Sequence, residues 1–327
     1  MSYVNQSQTL NVTSEQKYQG LLEKVLLSTL IAMPCCVFLF INGTMLFTLR
    51  SKSVFRGTSR YILLYNLLFS DTVLLALSQF LYTLAASKIM LSYPVCGVFT
   101  MLSILTDEIS PLTLVVMSLE RYVAVCYPLR HATIITIRNT GVAIIVVWAF
   151  SVLNVFIRVV LLLDFPFSDL ESLQMTDVCS DIDMILSPMS DIYDKAYTGF
   201  VFLSAGVAVI SSYIGVMIAA RSASTDKASA RKARNTLLLH LVQLGLSLSS
   251  TINNPLLLAI SKTVSRVVFA RMQNFLYVCF FILPRCLSSL IYGLRDQTIR
   301  PILVYYLCCR LTLSPQPKLR PKIHGVN

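Results

Sequence analysis

Charged side chains are scarce in this 327-residue chain, where Asp, Glu, Lys and Arg together make up only 13% of the residues. Soluble domains carry about 25%. Hydrophobic residues make up 55% of the chain, and the mean hydropathy is +0.70. Soluble proteins of this length rarely tolerate so much apolar sequence, because only an interior can hide it. The composition therefore argues against a soluble protein and for a membrane protein.

The sequence also lacks the common signatures of catalysis and metal binding. Its three histidines, His131, His240 and His324, form no His-Glu-x-x-His site. No Gly-x-Ser-x-Gly elbow is present, and no cysteines or histidines have the spacing of a metal site. These absences argue against an intramembrane enzyme. We expect neither a metal nor a cofactor.

Long apolar runs are abundant, and one helix needs roughly 20 apolar residues to cross a bilayer. Seven segments meet this length, and we expect each to form a helix because a helix satisfies its own backbone polar groups in lipid. The fold class is therefore an all-α membrane protein with a seven-transmembrane helix bundle. The segments are 25–49, 61–86, 96–119, 140–163, 196–220, 235–260 and 272–294.

The segments divide the chain into a polar N-terminal tail, 1–24, the seven-helix domain, 25–294, and an amphipathic helix with a tail, 295–327. The sequence shows no cleavable signal peptide, because its first apolar run is longer than a signal core. We expect that run to act as its own insertion signal.

The basic residues predict the orientation of the chain. Loops one, three and five and the C-terminal tail hold 18 of the 27 Lys and Arg residues, whereas the opposite side holds seven. Positively charged loops face the cytoplasm, so the N-terminus is expected outside and the C-terminus inside. The formal net charge of +11 thus indicates membrane topology rather than a nucleic-acid partner.

Several modification sites are consistent with this orientation. Asn5 and Asn11 begin glycosylation sequons in the N-terminal tail. Cys96 and Cys179 both face the oxidising side, which predicts a disulfide between them. Cys308 and Cys309 follow the amphipathic segment on the cytoplasmic side and are candidates for palmitoylation.

Ionisable residues inside a bilayer are costly and are candidates for function. Arg285 needs an acidic or carbonyl partner, and either Asp71 or Asp107 can supply it; together with Asn42 these residues define a predicted intramembrane polar network. Asp107, Glu108 or both are expected to face an outer cavity and a polar or cationic ligand. Adjacent helical positions point about 100° apart, so the alternative for one of the two acids is to face a neighbouring helix. We add Ser103 and Asn254 to the candidate ligand-binding residues.

The most specific stretch of the chain closes the third segment. Glu120-Arg121-Tyr122 is followed by Val123-Ala124-Val125-Cys126-Tyr127-Pro128-Leu129-Arg130. A bare Glu-Arg-Tyr triplet is common, but this one lies at the predicted cytoplasmic end of the third of seven helices. Pro128 is expected to end the helix there.

This stretch resembles the signature of the rhodopsin-class G-protein-coupled receptors, and among them the odorant receptors, especially the fish odorant-receptor-like branch. The resemblance extends over nearly the whole chain from helix one. Its other matching features are Asn42-Gly43, Asp71, the pair Cys96 and Cys179, Trp148, Ser212-Tyr213, Lys232-Ala233-Arg234 with His240, and Leu290 to Asp296.

The resemblance implies a receptor of the plasma membrane with two partners, a small-molecule odorant and a heterotrimeric G protein. It implies that Arg121 pairs with Glu120 at rest and then releases to meet the G protein. Tyr213 and Tyr292 would swing inward to stabilise the open state, with Tyr122 completing the switch.

Some positions depart from the family pattern. Ser288-Ser289 replaces the usual Asn-Pro of helix seven, and the nearest proline is Pro284. The acid of the triplet is Glu120 where odorant receptors typically use Asp. Helix seven has no lysine, which excludes an opsin. The alternatives that remain open are a non-olfactory receptor for a peptide, amine or lipid, and a small-molecule transporter.

Overall fold

A backbone in lipid has to satisfy its own hydrogen bonds, and the apolar segments do so by forming long helices. The computed structural model describes residues 28–164 except 88, residues 174, 175, 179 and 184–222, scattered residues between 238 and 272, and residues 275–307 except 297. Asn5, Asn11, Asn254, Cys308 and Cys309 lie outside the described residues. So does most of the predicted sixth segment.

Five helices in this part of the chain are long and apolar enough to cross a membrane. Their positions agree with the first five predicted segments. We call them helices one to five: Ser28–Ser51, Ser59–Ala86, Tyr93–Cys126, Ile137–Leu163 and Pro188–Ser222.

Helix five begins two turns before the predicted start at residue 196. Its first turns carry the charged residues Asp191, Asp194 and Lys195 and therefore precede the apolar run. An ion pair between Lys195 Nζ and Asp191 Oδ2 at 2.6 Å spans one turn, and such i,i+4 pairs support a helix. The helix therefore continues beyond its apolar part.

Helix three likewise continues past residue 119 to Cys126, so that the whole Glu120-Arg121-Tyr122 triplet is helical. Pro128 then begins a short 3-10 turn, Pro128–Arg130, followed by the short helix His131–Ile134. The expected end of the helix before Pro128 is therefore observed.

Helix seven begins irregularly. The π-helical stretch Tyr277–Ile282 runs into the α-helix Leu283–Arg295, which carries Pro284 in its first turn. Proline and π-bulges are the usual causes of irregular helices. The irregular stretch therefore ends directly before the turn that carries Pro284, which is one turn before Ser288 and Ser289. A final short helix, Arg300–Leu307, follows.

Helix three is the central helix of the bundle. In an apolar 18-residue stretch of helix three, 56% of the residues are buried inside the protein, compared with 17% in the corresponding stretch of helix four. The main core cluster joins helices one, two, three, five and seven through side chains that include Met45, Leu67, Met117, Val209 and Tyr292. Helix four instead exposes large apolar side chains such as Ile145 and Phe156, which suits contact with lipid.

The disulfide Cys96–Cys179 is present at one end of the bundle, which we call the outer end after the predicted orientation. Its Cα atoms are 5.6 Å apart, and Cys96 is fully buried with Met175 and Met184. The amide of Met175 donates to the carbonyl of Leu91 at 3.0 Å. These contacts attach the long outer loop to the start of helix three.

We expect Cys96→Ser and Cys179→Ser to destabilise the protein to the same extent, by about 2–5 kcal/mol, because each removes a link across a long loop. Thermal unfolding of purified receptor in detergent measures the effect. Cys36→Ser is the matched control, because Cys36 is a free and exposed cysteine. A loss in the control as large as in the two variants would contradict the prediction.

Candidate ligand cavity and signalling site

A cavity of about 110 Å³ opens in the outer half of the bundle between helices three, four, five and seven. It is lined by Ser103, Ile104, Asp107, Glu108, Pro111, Asn154, Arg158, Ile185, Asp194, Tyr197, Thr198, Val201 and Phe281. Three of the four predicted ligand residues, Ser103, Asp107 and Glu108, are thus brought together. The fourth, Asn254, lies outside the described residues.

Helix geometry explains why these side chains meet. Ser103, Asp107 and Pro111 are four residues apart along helix three, and this spacing places them on one face of a helix. Glu108 is one position further on and points about 100° away. The two adjacent acids therefore contact different neighbouring helices.

Asp107 faces helix seven, where its Oδ1 pairs with Nη2 of Arg285. Arg285 is only 1% exposed, and its guanidinium also lies 5.4 Å from the centre of the Phe281 ring. The sequence left open whether Asp71 or Asp107 would be the partner of Arg285. The structure shows Asp107 in this role.

Glu108 faces helix four and begins a polar chain that leads to helix five. Its Oε2 accepts a hydrogen bond from Nδ2 of Asn154 at 3.0 Å. Oδ1 of Asn154 accepts from Nε of Arg158 at 3.3 Å and from the hydroxyl of Tyr193 at 3.0 Å. Nη2 of Arg158 then pairs with Asp194 at 2.6 Å.

Asn154, Tyr193 and Asp194 were not among the residues predicted from sequence. One feature of the sequence pointed to part of this series of polar contacts. Asn154 and Arg158 are polar residues four apart in an otherwise apolar helix, and this spacing places them on one face. Nothing in the sequence linked them to Tyr193 and Asp194 at the start of helix five.

Three buried polar atoms of residues that line the cavity have no hydrogen-bond partner within the described structure. They are Oε1 of Glu108 and the hydroxyls of Ser103 and Tyr197. Glu108 is 8% exposed and Ser103 is 7% exposed. Buried polar atoms normally have partners, so these three atoms are suited to contact a bound molecule.

Deeper in the bundle, Asp71 is buried and accepts a hydrogen bond from the hydroxyl of Ser110 at 2.6 Å. Ser110 in turn lies 3.1 Å from Ser70. Asn42 is also fully buried, but its amide makes no hydrogen bond to the described residues. Among the described residues, Asn42 is therefore not joined by hydrogen bonds to the rest of the predicted polar network.

Trp148 connects three helices at a similar depth. Its Nε1 donates to Oδ1 of Asn66 at 2.9 Å, and Nδ2 of Asn66 donates to Thr113 at 2.9 Å. This bridge fixes helix four against helices two and three.

Gln243, from the predicted sixth segment, contacts helix seven at one of the unusual serines. Nε2 of Gln243 donates to the hydroxyl of Ser288 at 2.5 Å. Both residues are buried. Ser288 thus supplies a polar contact at the position where the family resemblance predicts Asn.

At the inner end of helix three, Nε of Arg121 lies 3.2 Å from Oε2 of Glu120. Oε1 of the same carboxylate lies 3.9 Å from Nε2 of His131, just beyond the end of helix three. Glu120 is buried, whereas Arg121 is partly exposed. The two side chains therefore form an ion pair, and His131 is a neighbour that the sequence did not indicate.

The three tyrosines of the expected switch differ in their surroundings. Tyr292 is buried in the main core cluster, while Tyr122 and Tyr213 are half-buried. The Tyr122 ring packs directly on Gly215 of helix five, where any Cβ atom would overlap it. Gly215 therefore allows helices three and five to approach closely.

A second ionic contact at the inner end was not predicted. The Asp296 carboxylate lies 3.6 Å from Nη2 of Arg60 and accepts a hydrogen bond from the Tyr61 hydroxyl at 3.1 Å. It also accepts from the backbone amides of Thr298 and Ile299. Asp296 thus ties the start of helix two to the end of helix seven.

Comparison with known proteins agrees with this architecture. Residues 41–292 match the family described as 7 transmembrane receptor (rhodopsin family). The chain belongs to this family. It is therefore a G-protein-coupled receptor and a multi-pass protein of the plasma membrane, rather than an enzyme.

Individual relatives of the receptor carry more specific names. It is 34% identical to Odorant receptor 131-2 of Danio rerio over 290 residues, which is 87% of this chain and 86% of the relative. It is 24% identical to Olfactory receptor 1078 of Rattus norvegicus over 79% of this chain and 77% of the relative. It is 23% identical to Olfactory receptor 4Q2 of Homo sapiens over 79% of this chain and 81% of the relative.

The ion pair between Asp107 and Arg285 gives a prediction about stability. We expect Asp107→Asn to cost about 3–5 kcal/mol, because it removes the counter-charge of a buried arginine. The double variant Asp107→Asn/Arg285→Gln should cost less than the two single variants added together. Thermal unfolding of the four receptors in detergent forms a double-mutant cycle. Additive losses would show that the two side chains are not coupled.

Proposed function

We propose that this receptor is an odorant-type receptor that binds a small ligand in its outer cavity and activates a heterotrimeric G protein. The names of its relatives support the odorant class. The polar outer cavity supports ligand binding, and the ion pair at the inner end of helix three supports coupling to a G protein. The proposal uses the orientation predicted from the basic loops, with the outer end facing the exterior.

The proposed ligand is a small molecule with a cationic group that donates hydrogen bonds. Three carboxylates line the cavity, and two of them already have cationic partners: Asp107 pairs with Arg285 and Asp194 with Arg158. No cation of the described residues forms an ion pair with Glu108, although Asn154 donates to one of its oxygens. The other oxygen, Oε1, has no hydrogen-bond partner among the described residues. This unsatisfied oxygen is the single observation on which the proposed ligand class rests.

The physical reason is the cost of an isolated charge within a membrane protein, which a bound cation would lower. Ser103 can accept a second hydrogen bond from the same ligand group, because its hydroxyl also lines the cavity. The cavity volume lies below the range of about 300–1,000 Å³ that is typical of sites for drug-sized ligands, which favours a small ligand.

The inner half of the receptor would respond through a shift between two arrangements of the helices. Glu120 and Arg121 hold the resting arrangement, and their pair lies near the aqueous end of helix three. A ligand shifts the equilibrium between the two arrangements by its difference in affinity for them, and Arg121 would then be released to the G protein.

The role of Glu108 is tested by Glu108→Gln, which keeps the size of the side chain but removes its charge. We expect potency for small aliphatic amines to fall roughly 10- to 100-fold, because a hydrogen bond to a charged group contributes about 1.5–3 kcal/mol. Concentration–response curves in cells that carry a Gα reporter measure the change, with surface expression checked on an N-terminal epitope.

Asp191→Asn is the matched control, because Asp191 is an exposed acid at the outer end of helix five that does not line the cavity. Its potency should stay within a factor of two of the wild type. Equal potency of amines at the Glu108→Gln variant and at the wild type would refute the cationic ligand class, while the receptor assignment would stand.

The signalling role is tested by two substitutions at the inner end of helix three. We expect Arg121→Ala to abolish the G-protein signal at unchanged surface expression, because the group that meets the G protein is lost. We expect Glu120→Gln to raise the signal without ligand, because the resting ion pair is lost. Arg138→Ala, at an exposed position of the start of helix four, is the control. Ligand-driven flux without any G-protein signal would instead favour a transporter.

A further inference from the structure

A second cavity, of about 330 Å³, lies at the inner end of the bundle beneath the first loop. Its walls come from the end of helix one, the short loop helix Ser53–Arg56 and the start of helix two. The lining residues are Leu49, Arg50, Phe55, Arg56, Tyr61, Ile62 and Tyr65. None of them lines the outer ligand cavity or belongs to the Glu120-Arg121-Tyr122 switch.

The floor of this cavity is apolar and firmly packed. Leu49 and Phe55 are each only 2% exposed and belong to the main core cluster. The Phe55 ring meets the Tyr61 ring edge to face, with 4.8 Å between the ring centres. The loop helix thus folds Phe55 inward and keeps Arg56 at the surface.

The rim of the cavity is positively charged. Arg50 and Arg56 are exposed, and neither forms an ion pair with any described residue. The acid at this end of helix seven, Asp296, is already engaged with Arg60 and Tyr61. Two guanidinium groups are therefore left beside an apolar floor with no carboxylate to neutralise them.

These features suit an anionic amphiphile. Guanidinium groups bind phosphate oxygens through paired, charge-assisted hydrogen bonds. The apolar walls suit a hydrocarbon chain, and the cavity lies where helices one and two leave the membrane. Basic pockets at the cytoplasmic face of membrane helices bind anionic lipid head groups. A free phosphate ion would use the arginines but leave the apolar walls without a partner.

We propose that this cavity, the first-loop cavity, binds an anionic membrane lipid. The head-group phosphate lies between Arg50 and Arg56, and the upper part of an acyl chain packs on Leu49 and Ile62. The ligand class is an anionic phospholipid. This proposal uses the predicted orientation but does not depend on the odorant ligand or on the G protein.

The chain offers a matched control for this proposal. Lys52 lies on the same loop between the two arginines, is exposed and carries the same charge, but it does not line the cavity. A specific site should therefore distinguish Arg50 and Arg56 from Lys52. General attraction between a basic loop and an anionic membrane should not, because it depends only on charge.

The experiment uses purified full-length receptor in detergent, titrated with phosphatidylinositol 4-phosphate and separately with phosphatidylcholine. Native mass spectrometry gives the fraction of receptor with one bound lipid. We expect saturable binding of the phosphoinositide at least tenfold tighter than of phosphatidylcholine. The variant R50Q/R56Q should lose at least tenfold in affinity, and K52Q should stay within twofold of the wild type.

The single variants R50Q and R56Q should each lose at least threefold, and they keep the test decisive if the double variant is not recovered as folded protein. Equal losses in K52Q and in the arginine variants would overturn the proposal in favour of diffuse charge attraction. The soluble inositol phosphate head group and inorganic phosphate are added as competitors. Displacement of the lipid by either competitor at equal concentration would show that the cavity binds phosphate without a lipid chain. This result would overturn the proposal of a lipid site.

Discussion

A polar group inside a bilayer finds no water, so its partners have to come from the protein itself. This constraint makes the backbone helical, and it also decides which side chains meet. Asp107 and Glu108 are adjacent on helix three and point about 100° apart, so each finds its partner on a different helix. Asp107 is directed to Arg285 of helix seven and Glu108 to Asn154 of helix four. The outer half of the receptor is organised around these two contacts.

Helix three transmits the same constraint to the inner half. The hydrogen bond from Ser110 to Asp71 and the ion pair of Glu120 with Arg121 lie along one continuous helix with the outer acids. Asp71 belongs to helix two, whereas Arg121 is the residue that directly follows Glu120 in helix three. A ligand that changes the balance at Glu108 would therefore act on the helix that also carries the inner ion pair. The close packing of Tyr122 on Gly215 couples that helix to helix five.

The inner end combines packing and charge in a different way. The loop between helices one and two buries Phe55 but leaves its arginines at the surface. Asp296 satisfies Arg60 and at the same time accepts from the backbone amides at the start of the last short helix. The two acids that the structure describes at this end, Glu120 and Asp296, form ion pairs, whereas Arg50 and Arg56 are exposed and form none with the described residues. This asymmetry separates the first-loop cavity from the structural ion pairs around it.

The sequence by itself determined the number and approximate positions of the membrane helices, because a length of apolar residues is a local property. It also predicted the ionic triplet of helix three, since Glu120 and Arg121 are neighbours in the chain. Only the tertiary structure decided that Arg285 pairs with Asp107, that Asn154 and Asp194 line the cavity, and that Tyr193 donates to Asn154. These contacts join different helices, and their geometry depends on how the helices are rotated and tilted against each other, which periodicity along one chain does not specify.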